Sequence, residues 1–286
     1  MIYDWFNDLA RVLRVNIMAY DYSGYGKSMG AVGGNNNTGG TNGSTNEHPN
    51  RSGHPCEEYV YADIEAAYDY LLNVRKLKPE EIVLYGRSLG SGPSCYLASK
   101  TAKMGRSVAG VILQSPLLSA FRVAFNFRFT MVWDKFPNID YAPHIRCPVF
   151  IVHGTQDEVV PFYHGEDLFL SLQQEWRAKP FWVIGAGHNN IEALLRPSGE
   201  FVDKLIEFLD LHVGARKGEA KAPIPVPICV ENYDKNQGGS GHPSSGSSGV
   251  GATMAMGVNR DSPWGPTKTA VGSSTTAVLR NVDGVV

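Results

Sequence analysis

Basic charge is not in surplus here. The 286 residues carry 26 Lys and Arg against 28 Asp and Glu, a formal net charge of −2. Nothing in that balance draws the chain to nucleic acid or to an anionic membrane as its main partner. Cysteine is sparse. Cys56, Cys95, Cys147 and Cys229 lie far apart and form no Cys-x-x-Cys pair. That excludes a disulfide framework and a zinc site, and reads as free thiols in a reducing, cytoplasmic compartment. No apolar run is long enough to span a bilayer. The opening Met1–Phe6 places Asp4 early, with no basic region before an apolar one, so it is not a secretory signal. The Asn-x-Ser/Thr triplets at Asn36, Asn42 and Asn50 are then by-products of a polar loop. Gly26-Lys27-Ser28 resembles the end of a phosphate loop, but Asp21 stands where its first glycine belongs, and Gly24-x-Gly26 has Met29 in place of a third glycine. No metal-ligand spacing is present either. The expectation is no cofactor and no metal.

What remains is ordinary globular composition, 43% hydrophobic and 19% charged, with enough chain for one sizeable core. Two stretches depart from it. Gly30–Pro55 is rich in Gly, Asn, Ser and Thr and nearly empty of large apolar residues, so it reads as a disordered surface insertion. The region 214–286 is Pro-rich at Ala222–Cys229 and Gly/Ser-rich at Gln237–Gly251. It reads as a disordered tail with one short extended piece at Ile224–Val230. Residues 1–213 form the expected domain. In it, strand-like runs at Val15–Ala19, Glu81–Tyr85, Val108–Gln114, Pro148–His153 and Pro180–Ile184 alternate with helical patterns at Tyr59–Leu72, Gly92–Lys103 and Phe201–Val213. Short apolar strands separated by helices predict an α/β fold, a mostly parallel sheet with helices on both faces. Functional residues then gather in loops at the carboxyl strand ends.

Gly86-Arg87-Ser88-Leu89-Gly90 fits Gly-x-Ser-x-Gly. With 31 glycines, chance alone yields such a match in about one chain of four, so the flanks decide. A strand precedes it and a helix follows, the setting for a sharp turn that exposes a serine hydroxyl. The Leu89 N–H then opens a helix and can donate to an oxyanion. A serine hydroxyl needs a base, and the base an orienting acid. His153-Gly154-Thr155-Gln156-Asp157-Glu158 follows one strand and Gly185-Ala186-Gly187-His188-Asn189 the next. Each places a candidate just past a strand end, in the chain order Ser88, Asp157, His188. Glu158 remains an alternative acid. His153 is a rival base but directly continues an apolar strand and reads as structural. The aromatic segment Leu117–Arg146, with Phe121, Phe125, Phe127, Phe129, Met131 and Trp133, lies where a cap could form an acyl groove; packing of a short lid helix explains it equally well.

Asp21-Tyr22-Ser23-Gly24-Tyr25-Gly26, Leu84–Gly90, Gln114-Ser115-Pro116-Leu117 with Arg122–Phe125, His153–Val159 and Gly185–Glu192, taken in order, resemble the alpha/beta-hydrolase domain-containing protein 17 family over Trp5–Val213. The resemblance implies an α/β-hydrolase fold and a serine hydrolase that removes palmitoyl groups from protein cysteines. Ser88 would be nucleophile, Asp157 acid and His188 base. Its partners would be S-acylated proteins or small acyl esters, met as a monomer at the cytoplasmic face of membranes, although the family's N-terminal cysteine anchor is not in this chain. A lipid esterase or serine peptidase of the same fold is the alternative, because a triad does not choose its acyl group. Family members carry further strands before Trp5, the third ending in a His-Gly-Asn turn that donates an oxyanion N–H. The resemblance therefore implies an N-terminally truncated sheet with a vacant slot between Val15–Ala19 and Glu81–Tyr85, and makes a catalytically incompetent hydrolase-like protein a further alternative. Direct closure of the two strands and filling of the slot by Ile224–Val230 are the other outcomes, the filling disfavoured because the tail's Pro223, Pro225 and Pro227 cannot donate to a central ladder.

Overall fold

The computed structural model describes residues 2–25, 56–125, 133–214 and 275–280. The insertion expected at Gly30–Pro55, the piece Ile224–Val230 and the cap residues Phe127, Phe129 and Met131 lie outside them, as does most of the tail.

Helix α1 (Ile2–Leu13) buries Leu9 and Leu13 and turns through Arg14, at φ 53°, into strand β1 (Val15–Ala19). Helix α2 (Glu57–Asn73) buries Val60, Ile64 and Leu71, the four- and seven-residue spacing of one helix stripe. Then come β2 (Ile82–Arg87), α3 (Ser91–Lys103), β3 (Gly110–Gln114), α4 (Ala120–Phe125), α5 (Asn138–Tyr141) and β4 (Val149–Gly154). The domain continues through α6 (Tyr163–Ser171), β5 (Phe181–Val183), α7 (Ile191–Leu195) and α8 (Glu200–Phe208). The helix expected over Phe201–Val213 changes at Leu209 into a wider π turn, Leu209–Val213.

Strands β2, β3, β4 and β5 pair in parallel, in that order. Every residue of β3 and β4 is buried, as strands covered on both faces require. The two-residue period of a strand divides them between two cores. Ile82, Leu84, Val111, Leu113, Val149 and Ile151 pack with Ile64, Leu97 and Leu168 of α2, α3 and α6. Val83, Ile112, Phe150 and Val152 pack on the other face with Leu9 and Leu13 of α1 and Leu205 and Phe208 of α8. Each apolar run is thus read twice, once from each side of the sheet.

The slot between β1 and β2 is not vacant, which corrects the expectation. A sixth strand, β6 (Thr275–Arg280), occupies it and runs antiparallel to both neighbours. Val15 faces Arg280 and Ala19 faces Thr276 on one side; Ile82 faces Leu279 and Gly86 faces Thr275 on the other. The expectation of disorder throughout 214–286 therefore fails for these six residues. The physical reason is backbone pairing. The facing edges of β1 and β2 need ladder partners, and a strand of either direction supplies them. Thr275–Arg280 contains no proline, so each of its residues can donate, unlike Ile224–Val230. Among the described residues no helix is long and apolar enough to cross a membrane.

Candidate active site

Ser88 sits where β2 gives way to a short 3₁₀ turn, Ser88–Gly90, that leads directly into α3. Its φ of 51° places a non-glycine residue in the left-handed region, a strained conformation that persists only where the surroundings enforce it. The turn is tight enough that a Cβ on Gly86 would lie 2.4 Å from the Gly90 carbonyl oxygen and 2.6 Å from Ser94 Oγ. Glycine at that position is thus a steric requirement. Ser91 Oγ donates to the Ser88 carbonyl at 2.6 Å, while Asn138 Nδ2 donates to Ser91 Oγ at 3.0 Å and to the Leu117 carbonyl at 2.8 Å. The elbow is thereby tied to the segment that follows β3. Leu89, next to Ser88, has its N–H in the opening turn of the helix, where backbone donors lack intrahelical partners.

The structure brings the three expected residues together. Ser88 Oγ lies 3.0 Å from His188 Nε2, and His188 Nδ1 lies 2.8 Å from Asp157 Oδ2. Asp157 and His188 are both buried. Burial alone would push the Asp157 carboxyl up. Hydrogen bonds from His153 and His188 outweigh it and, with the backbone donor Val160, hold the carboxyl far below the usual carboxylate range. An ionised carboxylate only accepts, so the His188 proton belongs on Nδ1, and Nε2 presents its lone pair to the Ser88 hydroxyl.

Asp157 is fully engaged. Its Oδ1 accepts the N–H groups of Val159 at 3.0 Å and Val160 at 2.7 Å, an Asx-type turn. Its Oδ2 faces His188 and, at 3.3 Å, His153 Nε2. Glu158, the alternative acid, does not meet the imidazole ring: its Oε2 accepts the backbone N–H of His188 at 3.2 Å. His153 does not hydrogen-bond Ser88, whose hydroxyl meets His188 instead. It is fully buried, and its Nε2–H points to the Val160 carbonyl at 2.9 Å, leaving that same proton beside Asp157. Sequence reasoning read it as structural and missed its contact with Asp157. The spacing His-x-x-x-Asp across one strand-end turn carried that signal. A Cβ on Gly165 would come within 2.5 Å of His153 Nδ1, so α6 closes over this ring without room for a side chain.

A further buried histidine, His164, accepts the Leu118 N–H at Nδ1, 3.0 Å away. Burial, with the His153 and Arg122 charges, pulls it down to about 4. Beside the elbow lies an apolar cluster of Tyr22, Val60, Leu117, Phe136 and Val160, against which the partly buried Leu89, Ala120 and Val123 pack. Phe121 is partly buried and Trp133 is largely exposed. Among the described residues no group of three or more His, Cys, Asp or Glu side chains is arranged to hold a metal ion.

Comparison with known proteins agrees with this architecture. The alpha/beta hydrolase fold family matches residues 1–137. Alpha/beta hydrolase domain-containing protein 17B of Homo sapiens is 40% identical over 198 residues, which are 69% of this chain and 57% of that protein. Alpha/beta hydrolase domain-containing protein aho-3 of Caenorhabditis elegans is 36% identical over 214 residues, 74% of this chain and 53% of that one. The chain thus spans little more than half the length of these relatives. A monoacylglycerol lipase from Paleococcus ferrophilus superposes with a TM-score of 0.41 at 18% identity, over 53% of this chain and 76% of that one. Parallel sheet, nucleophile turn and relatives together establish that the chain belongs to the alpha/beta-hydrolase family, on the branch represented by the domain-containing 17 proteins.

Proposed function

We propose that the chain is a serine hydrolase of acyl thioesters or esters, and that its substrates are S-acylated, most often palmitoylated, proteins. The observation that carries the reading is the hydrogen-bonded line Ser88–His188–Asp157, at 3.0 and 2.8 Å. Ser88 Oγ attacks the acyl carbonyl as its proton passes to His188 Nε2. The imidazolium so formed is stabilised by Asp157, and the Leu89 N–H donates to the carbonyl oxygen as it becomes an oxyanion. Collapse of the tetrahedral intermediate expels the thiolate or alkoxide, which takes the proton from His188. Water, activated by the same ring, then releases the acid from Ser88 and restores the hydroxyl. Leu89, Ala120 and Val123, partly buried against the apolar cluster beside Ser88, support an acyl chain as the group held there. Work as a monomer at the cytoplasmic face of membranes belongs to the same proposal.

A second reading, slow or absent turnover with binding retained, is favoured by the direction of β6. Its pairing places Arg280 opposite Val15, at the end of the sheet away from Ser88, so a turn following this strand cannot present an N–H to the oxyanion. Loss of one such donor typically costs about 100- to 1,000-fold in turnover.

The test is thiol release from an S-palmitoyl peptide and from its S-acetyl counterpart, by the purified chain and by Ser88→Ala. The first reading requires release that vanishes in Ser88→Ala and is faster for the palmitoyl thioester. Binding of the palmitoyl peptide without release would favour the second. Equal release by the two proteins would remove both.

A further inference from the structure

The loop that carries His188 has few anchors of its own. It follows β5, a strand of three residues at the edge of the sheet. Its backbone is held mostly from within or from the acid's loop. Gly185 N–H donates to Thr155 Oγ1 at 3.0 Å, Gly187 N–H to Asn190 Oδ1 at 2.7 Å, and His188 N–H to Glu158 Oε2 at 3.2 Å. None of these bonds fixes the loop relative to β2, the strand that delivers Ser88. Two intervening strands, β3 and β4, separate β5 from β2.

Arg87, immediately before Ser88, makes that connection. Its Nη2 donates to the His188 carbonyl at 3.3 Å and to Asn189 Oδ1 at 3.1 Å, while Nη1 lies 3.6 Å from Glu192 Oε1. Glu192 Oε1 in turn accepts from Gln114 Nε2 at 2.9 Å, and Gln114 Oε1 accepts from the Tyr85 hydroxyl. The circuit closes on β2, because Tyr85 and Arg87 stand two residues apart and share a face. Gln114 is fully buried and uses both ends of its amide here, which fixes its orientation. Burial pushes the Tyr85 hydroxyl up, so it remains a donor. We propose that Arg87 and Glu192 form a positioning clamp that holds the His188 loop against the nucleophile strand.

The chemistry favours arginine here. A guanidinium offers separate N–H groups in a rigid fork, and these satisfy a carbonyl, an amide oxygen and a carboxylate at once. Lysine carries the charge without that geometry. The ion pair is about four-fifths shielded, with side-chain exposures of 20% and 22%, so water screens it less than a surface pair. The clamp rests on the reading of Ser88, His188 and Asp157 as the catalytic line, since its consequence is the placement of His188 Nε2. A displacement near 1 Å in such a group can cost about 100-fold in rate.

The experiment uses the full chain and a fluorophosphonate that phosphonylates the active serine. Arg87→Met should lower the limiting labelling rate about 10- to 100-fold while leaving the half-saturating probe concentration unchanged. Arg87→Lys should recover only part of the loss. Adding Glu192→Gln to Arg87→Met should cost little more, because the two act as one unit. Lys204→Met, which removes an exposed ion pair on α8, is the control and should change nothing. In parallel, amide hydrogen exchange across residues 187–190 should quicken in Arg87→Met while that of β3 and β4 does not. If Arg87→Met does not fold, Arg87→Lys and Glu192→Gln carry the same comparisons. Unchanged labelling rate together with unchanged exchange would overturn the clamp. Absence of labelling in the unsubstituted chain would instead overturn the catalytic reading, and the exchange measurement would still decide whether Arg87 holds the loop.

Discussion

Removal of β6 should unfold the domain. In the chain ended after Ser274, β1 and β2 would face each other across an empty interior slot. Five residue pairs join β6 to β1 and five join it to β2. An antiparallel ladder of that length exchanges roughly five backbone hydrogen bonds per side, so on the order of ten would be lost. At a net contribution of about 1 kcal/mol each, the loss is about 10 kcal/mol. Total stability for a domain is about 5–15 kcal/mol, so little or none should remain. Urea denaturation followed by far-ultraviolet circular dichroism would read this directly. A gentler perturbation is Ala277→Pro, which keeps the chain length but removes the N–H of a residue paired with both Met18 and Leu84. It should cost about 3 kcal/mol or more. If the shortened chain and Ala277→Pro both unfold at the same urea concentration as the parent, β6 is not part of the folded sheet.

Three other outcomes follow from the geometry. His164 has its folded value near 4 against about 6.5 when exposed, so the unfolded chain takes up the proton first. Stability should therefore be full above pH 6.5 and fall by about 3 kcal/mol as pH drops toward 4. His164→Asn, which keeps an acceptor for the Leu118 N–H, should flatten that slope, whereas Asp157 adds its own loss only below its unfolded value near 3.8. Gly86→Ala sets a Cβ against the Gly90 carbonyl and should destabilise by about 3 kcal/mol in thermal denaturation and abolish serine labelling; a stable, labelled variant would show that the turn can open. Asp157→Asn should lower thioester turnover about 10,000-fold by allowing the wrong His188 tautomer. Glu158→Gln, which still accepts the His188 N–H, should cost less than about tenfold. Comparable losses in the two would reverse the assignment of the acid.

Ser88, His188 and Asp157 could be picked out as a candidate line because the fold places loops at the carboxyl ends of parallel strands, and each candidate follows an apolar run that sequence pattern can find; the structure sets them within hydrogen-bond reach of one another. Asp157 and Glu158 are adjacent, and spacing could not separate them. The structure separates them through the turn, since only Asp157 accepts the Val159 and Val160 N–H groups and turns its other oxygen to the ring. β6 was illegible for a different reason. Composition averaged over the tail concealed six proline- and glycine-free residues, and antiparallel insertion beside β2 spans nearly two hundred positions that no local periodicity records. The Arg87–Glu192 clamp is equally non-local: each residue alone reads as an ordinary charge beside a motif, and only the fold sets them 3.6 Å apart.

The most direct measurement is the site of covalent modification. The full chain is treated with a fluorophosphonate, digested, and the adduct located by tandem mass spectrometry, beside the same chain carrying Ser88→Ala or His188→Ala. The adduct should fall on Ser88 in the parent, disappear in Ser88→Ala and form far more slowly in His188→Ala. Modification of any other residue at the parent rate, or labelling that survives Ser88→Ala, would contradict the assignment of Ser88, His188 and Asp157 as the reacting line.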